Sequence, residues 1–207
     1  MFNNYFKVAI RNILKHKFFS AINIFGMTIG ITSCLLIVLY VADELSYDRF
    51  HRNAERIYQV GLHGKIAGQD IKTANTCPPM YEALVEEIPE VEASTRIAPY
   101  FGQPTVKYET KAFTEEKVIF ADSNFFEFFS FKLLEGDART VLQEPNTVVL
   151  TRSIAKKYFG EEPAIGKLLV IGNENKSYKV TGIAENAPGN SHFYFNMQIS
   201  STSSENL

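Results

Sequence analysis

The octapeptide Gly160–Lys167, GEEPAIGK, is the stretch nearest to a phosphate-binding loop. Such a loop has four residues between its glycines and a Ser or Thr after the lysine, so that backbone N–H groups cradle phosphate and the hydroxyl reaches magnesium. Here five residues intervene, Leu168 follows the lysine, Glu161 and Glu162 would repel phosphate, and Pro163 removes a donor. The stretch reads as a turn. The histidines, His16, His51, His63 and His192, lack the spacing of metal ligands and read as packing or surface residues. Ser191 follows Pro-Gly-Asn and has no nucleophile-elbow context. Cys34 and Cys77 supply neither a disulfide framework nor a zinc pattern. Asn175-Lys176-Ser177 fits a glycosylation sequon, which has meaning only in a eukaryotic secretory route. The residue types and spacings therefore point to no catalytic residue, no cofactor-binding residue and no metal ligand.

What the chain does carry is a membrane segment. No charged residue occurs from Phe18 through Ala42. As a helix, residues 21–42 span roughly 33 Å, enough for a hydrocarbon core of about 30 Å. Lys7, Arg11, Lys15 and Lys17 precede the span without an acidic residue, and Asp43 and Glu44 follow it. Basic flanks stay in the cytoplasm, so the N-terminus is expected inside and the remainder outside. Phe18 and Phe19 at one end, and Tyr40 and Tyr47 at the other, suit interfacial belts. A cleaved signal peptide is the competing reading. Its apolar core would run about 7–15 residues and end in a small-x-small site, whereas Tyr40 stands where cleavage after Ala42 would need a small side chain.

Two surfaces follow from helical spacing. Asn4, Lys7, Arg11 and Lys15 fall on one stripe of residues 2–17, opposite Phe2, Phe6, Ala9 and Ile13. A basic face, completed by Lys17, and an aromatic-aliphatic face suit a helix lying on an anionic membrane surface. Within the span, Asn23, Gly26, Gly30 and Ser33 share a face containing GxxxG, which lets a second helix approach closely. Ile24, Ile31, Leu35 and Val38 would face lipid.

All 23 acidic residues follow Ala42, with 17 of the 21 basic ones, giving the outer part a net charge of −6. A negative domain without a basic, aromatic-interleaved patch excludes a nucleic-acid partner. In that part the span's helix is expected to continue a turn or more past Glu44. Ile57–His63 reads as a strand, with Gly64 and Gly68 in a loop before a second short strand. A helix from Pro78-Pro79 to Pro89 should turn Met80, Leu84, Val85 and Ile88 inward, and Val91–Pro99 reads as the next strand. Residues 104–121 hold two further strands. The phenylalanine-rich SNFFEFFSF reads as a short helix plugging a core rather than an exposed greasy patch. Asn146–Thr151 is a strand followed by a helix capped by Thr151 or Ser153, with Ile154, Ala155, Tyr158 and Phe159 inside and Gly160 at its end. Lys167–Ile171 and Ser177–Ile183 form a hairpin around Gly172-Asn173, and Phe193–Ile199 is the last strand before a polar tail. The expected class is α+β: an interfacial helix and one transmembrane helix, then a mixed domain with strand–helix–strand units sharing one sheet.

Three stretches carry a resemblance. RNILKHKFFSAINIFGMTIGITSCLLIVLYVADELSYDRFHRNAERIYQV resembles the N-terminus of MacB/FtsX-like ABC transporter permeases. ADSNFFEFFSFKLLEGDARTVLQEPNTVVLTRSIAKKYFGEEPAIGKLL and YKVTGIAENAPGNSHFYFNMQIS are similar to their periplasmic core domain. The resemblance implies a non-enzymatic permease subunit in a bacterial inner membrane, driven by a separate cytoplasmic ABC ATPase and paired with a second permease subunit or copy, with a periplasmic partner. It implies a domain order of a cytoplasmic amphipathic helix (1–18), a transmembrane helix (19–45) and a periplasmic core (46–207) that Leu207 leaves incomplete, and a porter-like layer in that core. A single-span anchored ligand-binding or sensor module is the alternative of another class.

Overall fold

The computed structural model describes residues 2–66, 68–172 and 176–204. Asn173 and Asn175, and with them the hairpin tip and the sequon, lie outside the described residues. The chain divides into two units, Met1–Tyr47 and Asp48–Leu207.

The first unit is two helices, α1 (Phe2–Lys15) and α2 (Lys17–Glu44). They are separated at His16, whose φ of −117° and ψ of 53° are not helical, although the amides of His16 and Ser20 still reach carbonyls four residues back. The break places Lys17 on α2 rather than on the face built by Lys7, Arg11 and Lys15. Every described residue of α2 but the half-buried Ser20 is exposed, as an apolar helix meant for lipid or other helices must be. Its end corrects the expectation of a longer helix. Leu45 caps it, the amide and hydroxyl of Ser46 both turn back to the Asp43 carbonyl, and Asp48 has a φ of 55°, a left-handed conformation that Asp tolerates.

The second unit is built on a nine-stranded mixed sheet. Its strands are β3 (Ile97–Pro99), β4 (Thr105–Tyr108), β5 (Lys111–Thr114), β6 (Val118–Ala121), β7 (Leu133–Glu135), β8 (Thr147–Thr151), β9 (Leu168–Ile171), β10 (Lys176–Ala184) and β11 (Met197–Ser200). The order is β3-β6-β11-β8-β10-β9-β4-β5, with β7 also paired to β10. The pairs β8–β10 and β6–β11 are parallel and the rest antiparallel. Helix α5 (Arg152–Phe159) lies in the crossover from β8 to β10, the strand–helix–strand unit expected near the C-terminal end. Alternation along β8 shows how the core forms. Val148 and Leu150 belong to one buried cluster with Ile154, Tyr158 and Leu169, while Val149 belongs to another with Phe125, Phe126, Phe129 and Phe131. Side chains of period two thus fill both faces of the sheet. The phenylalanine-rich stretch, with its short helix α4 (Phe125–Phe128), is core as expected.

Thr181 is an extra residue in β10, because Val180 faces Val148 and Gly182 faces Val149. Its hydroxyl donates to the Val141 carbonyl. At this bulge the backbones crowd: a Cβ on Gly136, whose φ is +102°, would lie 2.8 Å from the Thr181 carbonyl oxygen.

Several expectations fail for tertiary reasons. The strand expected over Ile57–His63 is β1 (Leu62–Ile66), which pairs only with β2 (Gln69–Thr73) in a separate ribbon. The turn holding Gly68, at φ +84°, sets that register and draws Gly64 into the strand opposite Ile71. Of Val91–Pro99 only β3 is a strand, because the Arg96 amide bonds the Asp122 carboxylate and Val91 turns back to Ile88. Residues 104–121 hold three strands, not two. Phe193–Asn196 precede β11 irregularly, with Phe193 and Phe195 drawn into the aromatic cluster. The cap of α5 is distant: the Asn186 side chain accepts the Ser153 amide, while Thr151 and Ser153 hydroxyls contact each other. Helix α3 (Met80–Glu87) buries no residue, and Val85 and Ile88 are exposed instead of inward.

Candidate functional site

In the first unit, a Cβ on Gly26 or Gly30 would meet no atom within 4 Å. The Asn23, Gly26, Gly30 and Ser33 face is exposed, and the Thr28 hydroxyl is spent locally on the Ile24 carbonyl. Lys7, Arg11 and Lys15 repeat at intervals of one helical turn on α1, and all are exposed. Asn12, His16 and Asn23 line a shallow elbow between α1 and α2.

In the second unit the first residues are clamped. The Asp48 amide donates to the Asn190 carbonyl, 3.0 Å, and the Asp48 carboxylate takes the His192 amide, 3.0 Å, and lies 2.7 Å from His192 Nδ1. His51 Nδ1 accepts the Ser130 amide at 3.2 Å, and the Ser130 hydroxyl accepts the Arg52 amide at 2.8 Å. The His51 ring is 5 % exposed and lies among Phe50, Phe129, Phe131 and Phe193. Its Nε2 is buried without a partner among the described residues. Desolvation lowers the His51 pKa below its ordinary value, against a smaller opposing pull from Asp48. Sequence reasoning read His51 and His192 as separate ordinary histidines. The signal missed is a long-range one, since 144 residues separate Asp48 from His192.

A second linkage ties α3 to the sheet. Arg96 makes three side-chain bonds to Asp122, lies 3.9 Å over the Tyr81 ring of α3, and shares Asp122 with the Ser201 hydroxyl. Arg56 and Glu92, on either side of residues 57–91, form an exposed ion pair. A third linkage locks the β4–β5 hairpin to α5. Glu115, 3 % exposed, takes Lys157 Nζ and the Tyr158 hydroxyl, each at 2.6 Å, while Lys111 bonds the Tyr158 carbonyl. Burial and the Glu115 carboxylate push the Tyr158 pKa far up.

His51 meets the backbone of Ser130, not its hydroxyl, and the Ser191 hydroxyl donates to the Phe193 carbonyl. Glu162 holds Lys167 in an ion pair, so the octapeptide uses its own charges to close a turn. The linkages fasten elements to one another.

The class defined so far is a helix apolar and long enough to cross a membrane, followed by an α+β domain of mixed sheet. Residues 20–206 match the family of the MacB-like periplasmic core domain, and the chain belongs to that family. It is similar to a domain of a Porphyromonas gingivalis protein assigned as a permease, with 25% identity and a TM-score of 0.57 over 65% of this chain and 56% of that one. It also matches the periplasmic region of MacB from Actinobacillus actinomycetemcomitans, with 19% identity and a TM-score of 0.48 over 62% of this chain and 56% of that one. A third match is the extracellular domain of the noncanonic ABC-type transporter YknZ from Gram-positive bacteria, with 16% identity and a TM-score of 0.36 over 50% and 52% of the two chains. The chain thus spans little more than half the length of the solved domains it matches. Among curated proteins none is similar enough to match.

Proposed function

We propose that this chain is the N-terminal portion of a permease subunit in an ABC-type export or mechanotransmission system, coupling a separate cytoplasmic ATPase to movement outside the membrane. The observation that carries the reading is the family match running from within α2 through the outer domain, so that span and domain belong to one familial unit. In this reading residues 1–18 lie on the cytoplasmic surface through Lys7, Arg11, Lys15 and Lys17. Residues 19–45 cross the inner membrane and meet a partner span or a second copy through Asn23, Gly26, Gly30 and Ser33. Residues 46–207 form the periplasmic core, open to a periplasmic partner. The chain itself is not an enzyme; energy reaches it mechanically.

The test is reconstitution in liposomes of the permease encoded at this locus with the ATPase encoded beside it. Spin labels on β5 and on α3 should change their separations when ATP and vanadate trap the ATPase. ATPase turnover with no change in any separation between labelled permease subunits would refute coupling. Recovery of a histidine kinase instead of an ATPase at the locus would favour the sensor reading.

A further inference from the structure

We propose that His51 is a proton-sensitive catch, which releases the segment after the membrane helix from the outer body when the surrounding medium turns acid. Only Leu45, Ser46 and Tyr47 separate the end of α2 from Asp48, the first clamped residue. Pull or twist transmitted along the chain from α2 is therefore taken up at residues 48–52. That clamp depends on a neutral imidazole. His51 Nδ1 must offer a lone pair to the Ser130 amide, so its proton sits on Nε2, inside the aromatic cluster. A second proton on the ring turns Nδ1 into a donor facing another donor. It also places a charge among Phe50, Phe129, Phe131 and Phe193, where water is excluded. Ser130 is then freed, and with it the hydroxyl that holds the Arg52 amide.

The charged groups around the ring do not remove this penalty. Asp48 and Arg52 flank it on its own segment. Glu127 on α4 is held by Arg139, and Lys132 beyond α4 by Glu185. His192, from the loop carrying Phe193, faces Asp48. Asp48 alone acts on the ring, and it yields to desolvation. The sign follows. Between the lowered midpoint of the closed form and the ordinary value of about 6.5, the open form binds more protons, so opening grows as pH falls through that window and levels off below it. Each unit of depression makes opening about tenfold more favourable. The effect is read at Ser130 and Arg52, whose bonds run through the His51 ring and the Ser130 hydroxyl.

The catch has physiological meaning if residues 48 onward lie outside the cytoplasm, as proposed above, but its test needs neither ATPase nor topology. The full chain in detergent micelles is subjected to hydrogen exchange at about pH 5 and 7.5, with intrinsic rates corrected. Protection of the segments containing Arg52 and Ser130 should fall at the lower pH while that of β8 stays constant. His51→Phe keeps an aromatic ring that cannot take up a proton and should give these segments equal protection at both values. Independently, the His51 ring carbon resonance in the unaltered chain should titrate below about 6.5. Unchanged protection in the unaltered chain, persistence of the pH effect in His51→Phe, or a His51 midpoint at or above the free-histidine value would each overturn the proposal.

Discussion

Glu115 is the residue where charge, burial and architecture meet. A lone carboxylate at 3 % exposure costs several kcal/mol, and this one is tolerated because Lys157 and Tyr158 both reach it. Lys157→Met is expected to leave it with one partner and destabilise the domain by about 3 kcal/mol, whereas Tyr158→Phe is expected to cost about 1–3 kcal/mol. Urea unfolding followed by circular dichroism measures both. Tyr158 also sets an alkaline limit. Its folded pKa is raised by burial first and by Glu115 second, so its contribution is complete below the unfolded value of 10.0 and is lost as pH rises above it. The urea midpoint of the unaltered chain should therefore fall between about pH 9 and 11 more steeply than that of Tyr158→Phe. Equal slopes would remove Tyr158 from the account.

At the scale of elements, what the sequence reveals and conceals divides by range. Helix α5 and strand β8 are legible because periodicity is a local property: Ile154, Tyr158 and Phe159 recur on one helical face, and β8 is an apolar, β-branched run, Val148–Leu150 between two threonines. The end of α2 and the register of β1 are not, because they rest on turn geometry at Ser46, Asp48 and Gly68 that periodicity does not carry, and the shortness of β3 is not, because Asp122 decides it from a distance. The clamp at His51 is illegible for the same reason. Helix α3 marks the boundary: its position is legible from its prolines, its burial is not. With no buried residue, it depends on Tyr81 stacking under Arg96 and on the Ser94 hydroxyl donating to the Tyr81 carbonyl. Arg96→Leu should raise hydrogen exchange across Met80–Glu87 by about tenfold while leaving β8 and β11 protected, since the lost contacts are worth roughly 1–2 kcal/mol. In the membrane helix the expectation is geometric. Gly26→Leu or Gly30→Leu should reduce crosslinking to a partner span while insertion remains normal, because leucine is more apolar but blocks close approach. Unchanged crosslinking in both variants would reduce the stripe to ordinary glycine usage.

For the whole molecule, the question that orders all others is which side of the membrane holds the outer domain. Four basic residues and no acidic one precede the uncharged stretch, and the acidic pair Asp43 and Glu44 follows it. Moving Lys7, Arg11, Lys15 and Lys17 across a bilayer is opposed by both the cost of charge transfer and the attraction of anionic lipid on the cytoplasmic leaflet. The two cysteines make the test internal. Cys77 is exposed just before α3, and Cys34 lies midway along α2. A membrane-impermeant maleimide applied to intact cells with a permeabilised outer envelope should modify Cys77 and spare Cys34, whose thiol the hydrocarbon keeps from water. Lysing the cells first should not increase the yield at Cys77. The converse pattern, in which Cys77 reacts only after the inner membrane is opened, would place the domain in the cytoplasm and reverse the proposed direction of coupling. Exchanging the flanking charges supplies the causal half: Lys7, Arg11, Lys15 and Lys17 changed to Gln, with two lysines added after Glu44, should shift labelling of Cys77 toward the inner side, because the bias in basic residues sets the orientation.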